Sequence, residues 1–155
     1  MTATLTREEV DRRVALLKRL KTTLAEQRTK FQKYLKVLDA EKASIEADSV
    51  DTLRAQVELE EELVVDIHAI QKVIDPLEAV LHQSYHGADD EVADLRSSLE
   101  TLKVQVQEKS KENRGLLSRS MAALEGEIVR LRPQVRGRNP YAGARAANSL
   151  VDITT

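Results

Sequence analysis

Residues 10–45 read VDRRVALLKRLKTTLAEQRTKFQKYLKVLDAEKASI, and in that stretch Val10, Leu17, Leu24, Phe31, Leu38 and Ile45 recur at a strict seven-residue spacing. An α-helix completes nearly two turns in seven residues, so all six side chains fall on one face. A second, less complete seam adds Val14, Leu20, Tyr34 and Leu35. A run of this kind belongs to a helix that buries one stripe against other helices. Just ahead of it, Thr6-Arg7-Glu8-Glu9 has the form of a capping box, in which Thr6 caps the first amides and Glu9 reaches back. No Gly or Pro interrupts residues 1–75. The first helix is therefore predicted to run for about 40 residues, roughly 60 Å at 1.5 Å per residue.

Downstream, Asp48, Ser49 and Asp51 are turn and capping residues and place a reversal near residues 46–50. A helix straight through this point also fits, because neither Gly nor Pro enforces a break. A second helix follows from Leu53, Val57, Leu63, Val64, Ile67, Ile70, Ile74, Leu77 and Leu81, again at three-and-four spacing. Pro76 deletes one backbone donor within it, so a kink or local break is expected there. Gly87 followed by Asp89 and Asp90 reads as a stop and a new N-cap. The third helix carries Val92, Leu95, Leu99, Leu102 and Val106, loses its apolar seam across KSKENRG at 109–115, and regains it from Leu116 to Leu131. Pro133 ends the regular pattern, and the stretch with Gly137, Pro140 and Gly143 reads as a flexible tail closing on Leu150-Val151-Asp152-Ile153. The expected fold is all-α: three long helices, at about 6–46, 49–85 and 90–132, in an antiparallel coiled-coil-like bundle over residues 1–132, with a tail over 133–155.

Composition agrees with this reading. Of 155 residues 32% are charged, and there is one Phe, three Tyr and no Trp, so the core must come from Leu, Val and Ile stripes. The net charge of −2 argues against nucleic acid as an obligate partner. It is uneven: Arg130, Arg132, Arg136, Arg138 and Arg145 face only Asp152, giving +4 over residues 130–155 and −6 over the remainder. That is thin for a nucleic-acid or membrane-surface contact, with Tyr141 the only aromatic nearby. Cysteine is absent, which excludes disulfides and thiolate metal sites. No apolar run approaches the ~18–20 residues that cross a bilayer, and residues 1–12 lack the apolar core of a signal peptide, so the cytoplasm is the expected compartment.

Equipment for catalysis is not visible. His82 and His86 share a helix face with Asp89 and Asp90 close behind, but His68, the other histidine, lies four turns away, too few ligands for zinc. Glu58, Glu60, Glu61 and Glu62 spread around their helix and read as a solvated face. There is no GxSxG elbow and no phosphate loop after a strand. No catalytic residue, metal or other cofactor is expected.

The discriminating stretch is 112–153. Glu112-Asn113-Arg114-Gly115-Leu116-Leu117 contains an N-R-x-L-L pattern, followed by Met121, Leu124, Ile128 and Leu131, then Asn139-Pro140-Tyr141 and a closing Ser149-Leu150-Val151-Asp152-Ile153. In that order these motifs resemble the flagellar export chaperone family FlgN. The resemblance implies a type III secretion chaperone that binds hook-associated proteins of the FlgK and FlgL type before export and passes them to the cytoplasmic domain of the export gate protein FlhA. It points to Leu116, Leu117, Met121, Leu124, Ile128 and Leu131 as a client-binding face, used in helix-in-groove fashion. Leu150, Val151 and Ile153 would be a tail anchor that orders on binding, and Tyr141 the gate-docking residue. Two other readings fit the helices: a self-assembling coiled-coil scaffold, and an accessory coiled coil of the export ATPase. The sequence leaves the oligomeric state open.

Overall fold

The computed structural model describes residues 4–84, 87 and 89–138, with side chains described as far as residue 132. Its elements are α1 (Arg7–Glu46), α2 (Val50–Ser84) and α3 (Asp90–Arg138). Two compact units divide the chain, Met1–Arg114 and Gly115–Thr155, and the three-helix core belongs to the first.

Local chemistry sets each helix boundary. Thr6 and Glu9 form the reciprocal capping box expected of them, with the Thr6 amide donating to Glu9 Oε2 at 2.9 Å. α1 ends in a Schellman motif: the Asp48 amide donates to the Ile45 carbonyl at 3.2 Å and the Ser49 amide to the Ser44 carbonyl at 2.9 Å. The reversal at 46–50 is thus real, and it is made without glycine, because Asp48 takes the left-handed conformation at φ 53°. An L-residue is strained there, and aspartate only tolerates it. Asp48→Gly is expected to stabilise the chain by roughly 0.5–1 kcal/mol, read as a higher Tm; an unchanged or lower Tm would show that the aspartate side chain offsets the strain. At the next boundary Asp89 caps α3, its Oδ1 accepting from the Val92 amide at 3.0 Å. That bond, and then Lys21 at 3.0 Å, hold its carboxyl below the usual range.

Cross-helix bonds fix the topology. Between α1 and α2 the partners converge toward the turn: Gln27 with Gln71, Lys30 with Asp66, Tyr34 with Glu60, Ser44 with Gln56. Converging pairs mean antiparallel helices. Between α1 and α3 the offset is nearly constant, with Lys21 on Asp89, Asp39 on Lys109, Lys42 on Glu112 and Leu38 on Asn113. A constant offset means parallel helices, so the bundle runs up, down, up.

The buried line of α1 is Leu20, Leu24, Gln27, Phe31, Tyr34, Leu38, Glu41 and Ile45, an unbroken alternation of four and three. Leu63, Ile74, Leu77 and Leu81 of α2 and Val92, Leu95, Leu99 and Val106 of α3 close onto it. Three sequence expectations need correction. Val10 and Val14 begin the seam on paper yet are exposed, because antiparallel α2 stops at Ser84 and leaves that end of α1 without a facing helix. Of the kink or local break expected at Pro76, the break does not occur, and α2 is continuous through it; the lost bond would have gone to the carbonyl of Lys72, an exposed residue that water can serve. Nor does Pro133 end α3, which continues past residue 132 to Arg138; its missing partner is the carbonyl of Val129, likewise exposed. Among the described residues no helix is long and apolar enough to cross a membrane.

Candidate functional site

α3 carries the residues singled out by the N-R-x-L-L pattern, and they divide into two roles. Asn113 is buried, 6% exposed, and its Nδ2 donates to the Leu38 carbonyl of α1 at 2.8 Å. It holds α3 onto the bundle at a heptad position shared with Val92, Leu99 and Val106. The weak seam at 109–115 is therefore a polar layer of the core rather than a gap in it. Arg114 is exposed and Leu116 half-buried.

From Leu117 onward the apolar residues lie open. Leu117, Met121, Leu124, Ile128 and Leu131 follow the four-three rhythm of one helix face, and every one is exposed, Leu124 at 59% and Ile128 at 47%. Five large apolar side chains lined up in water form a continuous stripe of the kind that amphipathic helices bury. Met121 lends it adaptability, since an unbranched thioether repacks easily against different partners. Gly115 and Gly126 have open space where a Cβ would stand. Tyr141, Leu150, Val151 and Ile153 lie outside the described residues.

The remaining polar candidates fall as follows. His68 and His82 are exposed and His86 lies outside the described residues; among the described residues no group of three His, Cys, Asp or Glu side chains could hold a metal ion. Glu58, Glu61 and Glu62 are exposed as expected, but Glu60 is half-buried and accepts a 2.7 Å hydrogen bond from the Tyr34 hydroxyl. Burial, and then Glu60, push the Tyr34 phenol above its ordinary range. Sequence reading missed this inner polar set, Gln27, Glu41 and Glu60 with Asn113. The signal was present for two of them, because Gln27 and Glu41 stand in strict heptad phase with Leu20 and Tyr34.

The model of the family described as FlgN protein matches residues 16–149. An uncharacterized protein of Treponema pallidum (strain Nichols) is 38% identical over 147 residues, covering 95% of this chain and 94% of its own length. No solved structure matches. The family match takes in both the bundle and the α3 stripe. The chain belongs to the FlgN family, and that membership implies a flagellar export chaperone that binds hook-associated proteins, not an enzyme.

Proposed function

We propose that this protein holds a hook-associated protein of the FlgK or FlgL type in an export-competent state in the cytoplasm, before type III secretion. The observation that carries the reading is the exposed row Leu117, Met121, Leu124, Ile128 and Leu131 on α3, in a chain of a chaperone family. A secreted filament-junction subunit has terminal amphipathic helices that associate with their own kind, and an open apolar helix face is a substitute partner for them. Leu116, half-buried, borders the face. In this reading the bundle over residues 1–132 is the scaffold and residues 133–155 are the binding tail, with Leu150, Val151 and Ile153 closing over the client. Tyr141 serves the later step, docking on the cytoplasmic domain of FlhA. Neither nucleic acid nor membrane insertion has a part.

The test is calorimetric titration of the purified full chain with each hook-associated protein, repeated after removal of residues 133–155. The expected result is a one-to-one complex with at least one of them, weakened about tenfold or more by the truncation while the helical content of the bundle is kept. That loss equals at least about 1.4 kcal/mol, within reach of a single buried aliphatic side chain. A defined higher oligomer with no affinity for either protein would replace the chaperone with a self-assembling scaffold.

A further inference from the structure

Glu41 is 5% exposed, and its Oε1 is buried with no hydrogen-bond partner. An ionised carboxylate with a bare oxygen in a helix interface is a costly arrangement, whereas a neutral acid is a tolerable one. Across from it Glu60 of α2 lies within hydrogen-bonding reach and already accepts the Tyr34 hydroxyl at 2.7 Å, which leaves its carboxyl oxygens facing this layer as acceptors. From α3, Asn113 gives an amide hydrogen to the Leu38 carbonyl at 2.8 Å and lies beside Glu41. Of the charged groups around this layer, Lys42 pairs with Glu112 at 2.8 Å and Lys109 with Asp39, while Arg114 is exposed and its charge reaches Tyr34 without a hydrogen bond to it. Three helices thus meet at two carboxyl groups, and among the described residues no ion pair joins a cation to either.

We propose that Glu41 is held as a neutral acid that donates its proton to Glu60, and that this shared proton is a latch fastening the Asn113 turn of α3 to the α1–α2 hairpin. Losing the proton to solvent leaves two facing carboxylates, and the repulsion opens the layer at Asn113. Burial, and then the Glu60 carboxylate, push the Glu41 carboxyl up to about 8 from an ordinary 4.5. The unfolded chain releases this proton near 4.5 while the folded chain keeps it to about 8. The contribution to stability is therefore complete below 4.5 and declines as pH rises, until the latch is lost above about 8. The device is closed at neutral pH and opens on the alkaline side.

The test follows the full-length chain by carbon-detected NMR of labelled glutamate carboxyls, together with amide hydrogen exchange over residues 106–114. Glu41 is expected to titrate near 8. Between pH 6 and pH 9.5, protection of these amides, corrected for base-catalysed intrinsic exchange, should fall by about tenfold or more. Glu41→Gln, a permanently neutral near-isostere, should keep that protection constant over the same range. A Glu41 carboxyl titrating below pH 6, or wild-type protection as insensitive to pH as that of the variant, would overturn the latch. Should Glu41→Gln fail to fold, the wild-type titration and exchange decide the question by themselves.

Discussion

Replacing Leu124 and Ile128 together by glutamate should lower the affinity for a hook-associated protein by at least about a hundredfold and leave thermal unfolding of the bundle unchanged. The two side chains are 59% and 47% exposed, so charging them costs the free chain little; surface substitutions usually stay within about 0.5 kcal/mol. In the complex the balance reverses. Each aliphatic side chain that a partner helix buries is worth about 1.5–3 kcal/mol, and a glutamate in its place must be stripped of water with no cation to meet it. Two such sites exceed the ~2.7 kcal/mol that corresponds to a hundredfold. Calorimetric titration and a circular-dichroism melt on the same sample read both quantities. An affinity within threefold of wild type would remove this stripe from the binding surface. A Tm depressed by more than about 5 °C would instead assign Leu124 and Ile128 to the chain's own packing.

How far the sequence anticipates this molecule can be judged at particular positions. The seven-residue rhythm of Leu17 to Ile45 predicts a helix buried along one line, and Leu24, Phe31, Leu38 and Ile45 lie on that line. The turn residues Asp48 and Ser49 predict the reversal, and both join the Schellman motif. The rhythm does not say where the opposing helices end. Val10 fits the repeat as well as Leu38 does, and only the short reach of α2 decides that one is wet and the other dry. Hydrophobic pattern is also blind to polar residues in a seam: Gln27 and Glu41 satisfy the repeat by position and break it by chemistry. The candidate face was legible as a periodic stripe from Leu116 to Leu131, whereas its exposure depends on which partners the rest of the chain supplies. Asn113, read as one letter of a family motif, turns out to be a bundle anchor through its bond to Leu38.

Leu38→Ala and Val10→Ala make a matched pair, two members of one heptad register with opposite fates. Leu38 is 1% exposed at the level where all three helices meet. Trimming it to alanine removes buried methyl groups and leaves a cavity that long, stiff helices cannot collapse, so about 3 kcal/mol should be lost, within the 2–5 kcal/mol usual for such truncations. For a chain of this length that corresponds to a fall in Tm of roughly 10 °C. Alanine keeps the backbone carbonyl that receives Asn113, so the loss measures packing and not the hydrogen bond. Val10 is 43% exposed, and its truncation should stay within about 0.5 kcal/mol. Paired melts of the two variants measure the difference directly. Equal losses would mean that the start of α1 is covered after all, and that the seam from Val10 to Ile45 is buried along its whole length by a partner other than α2 and α3.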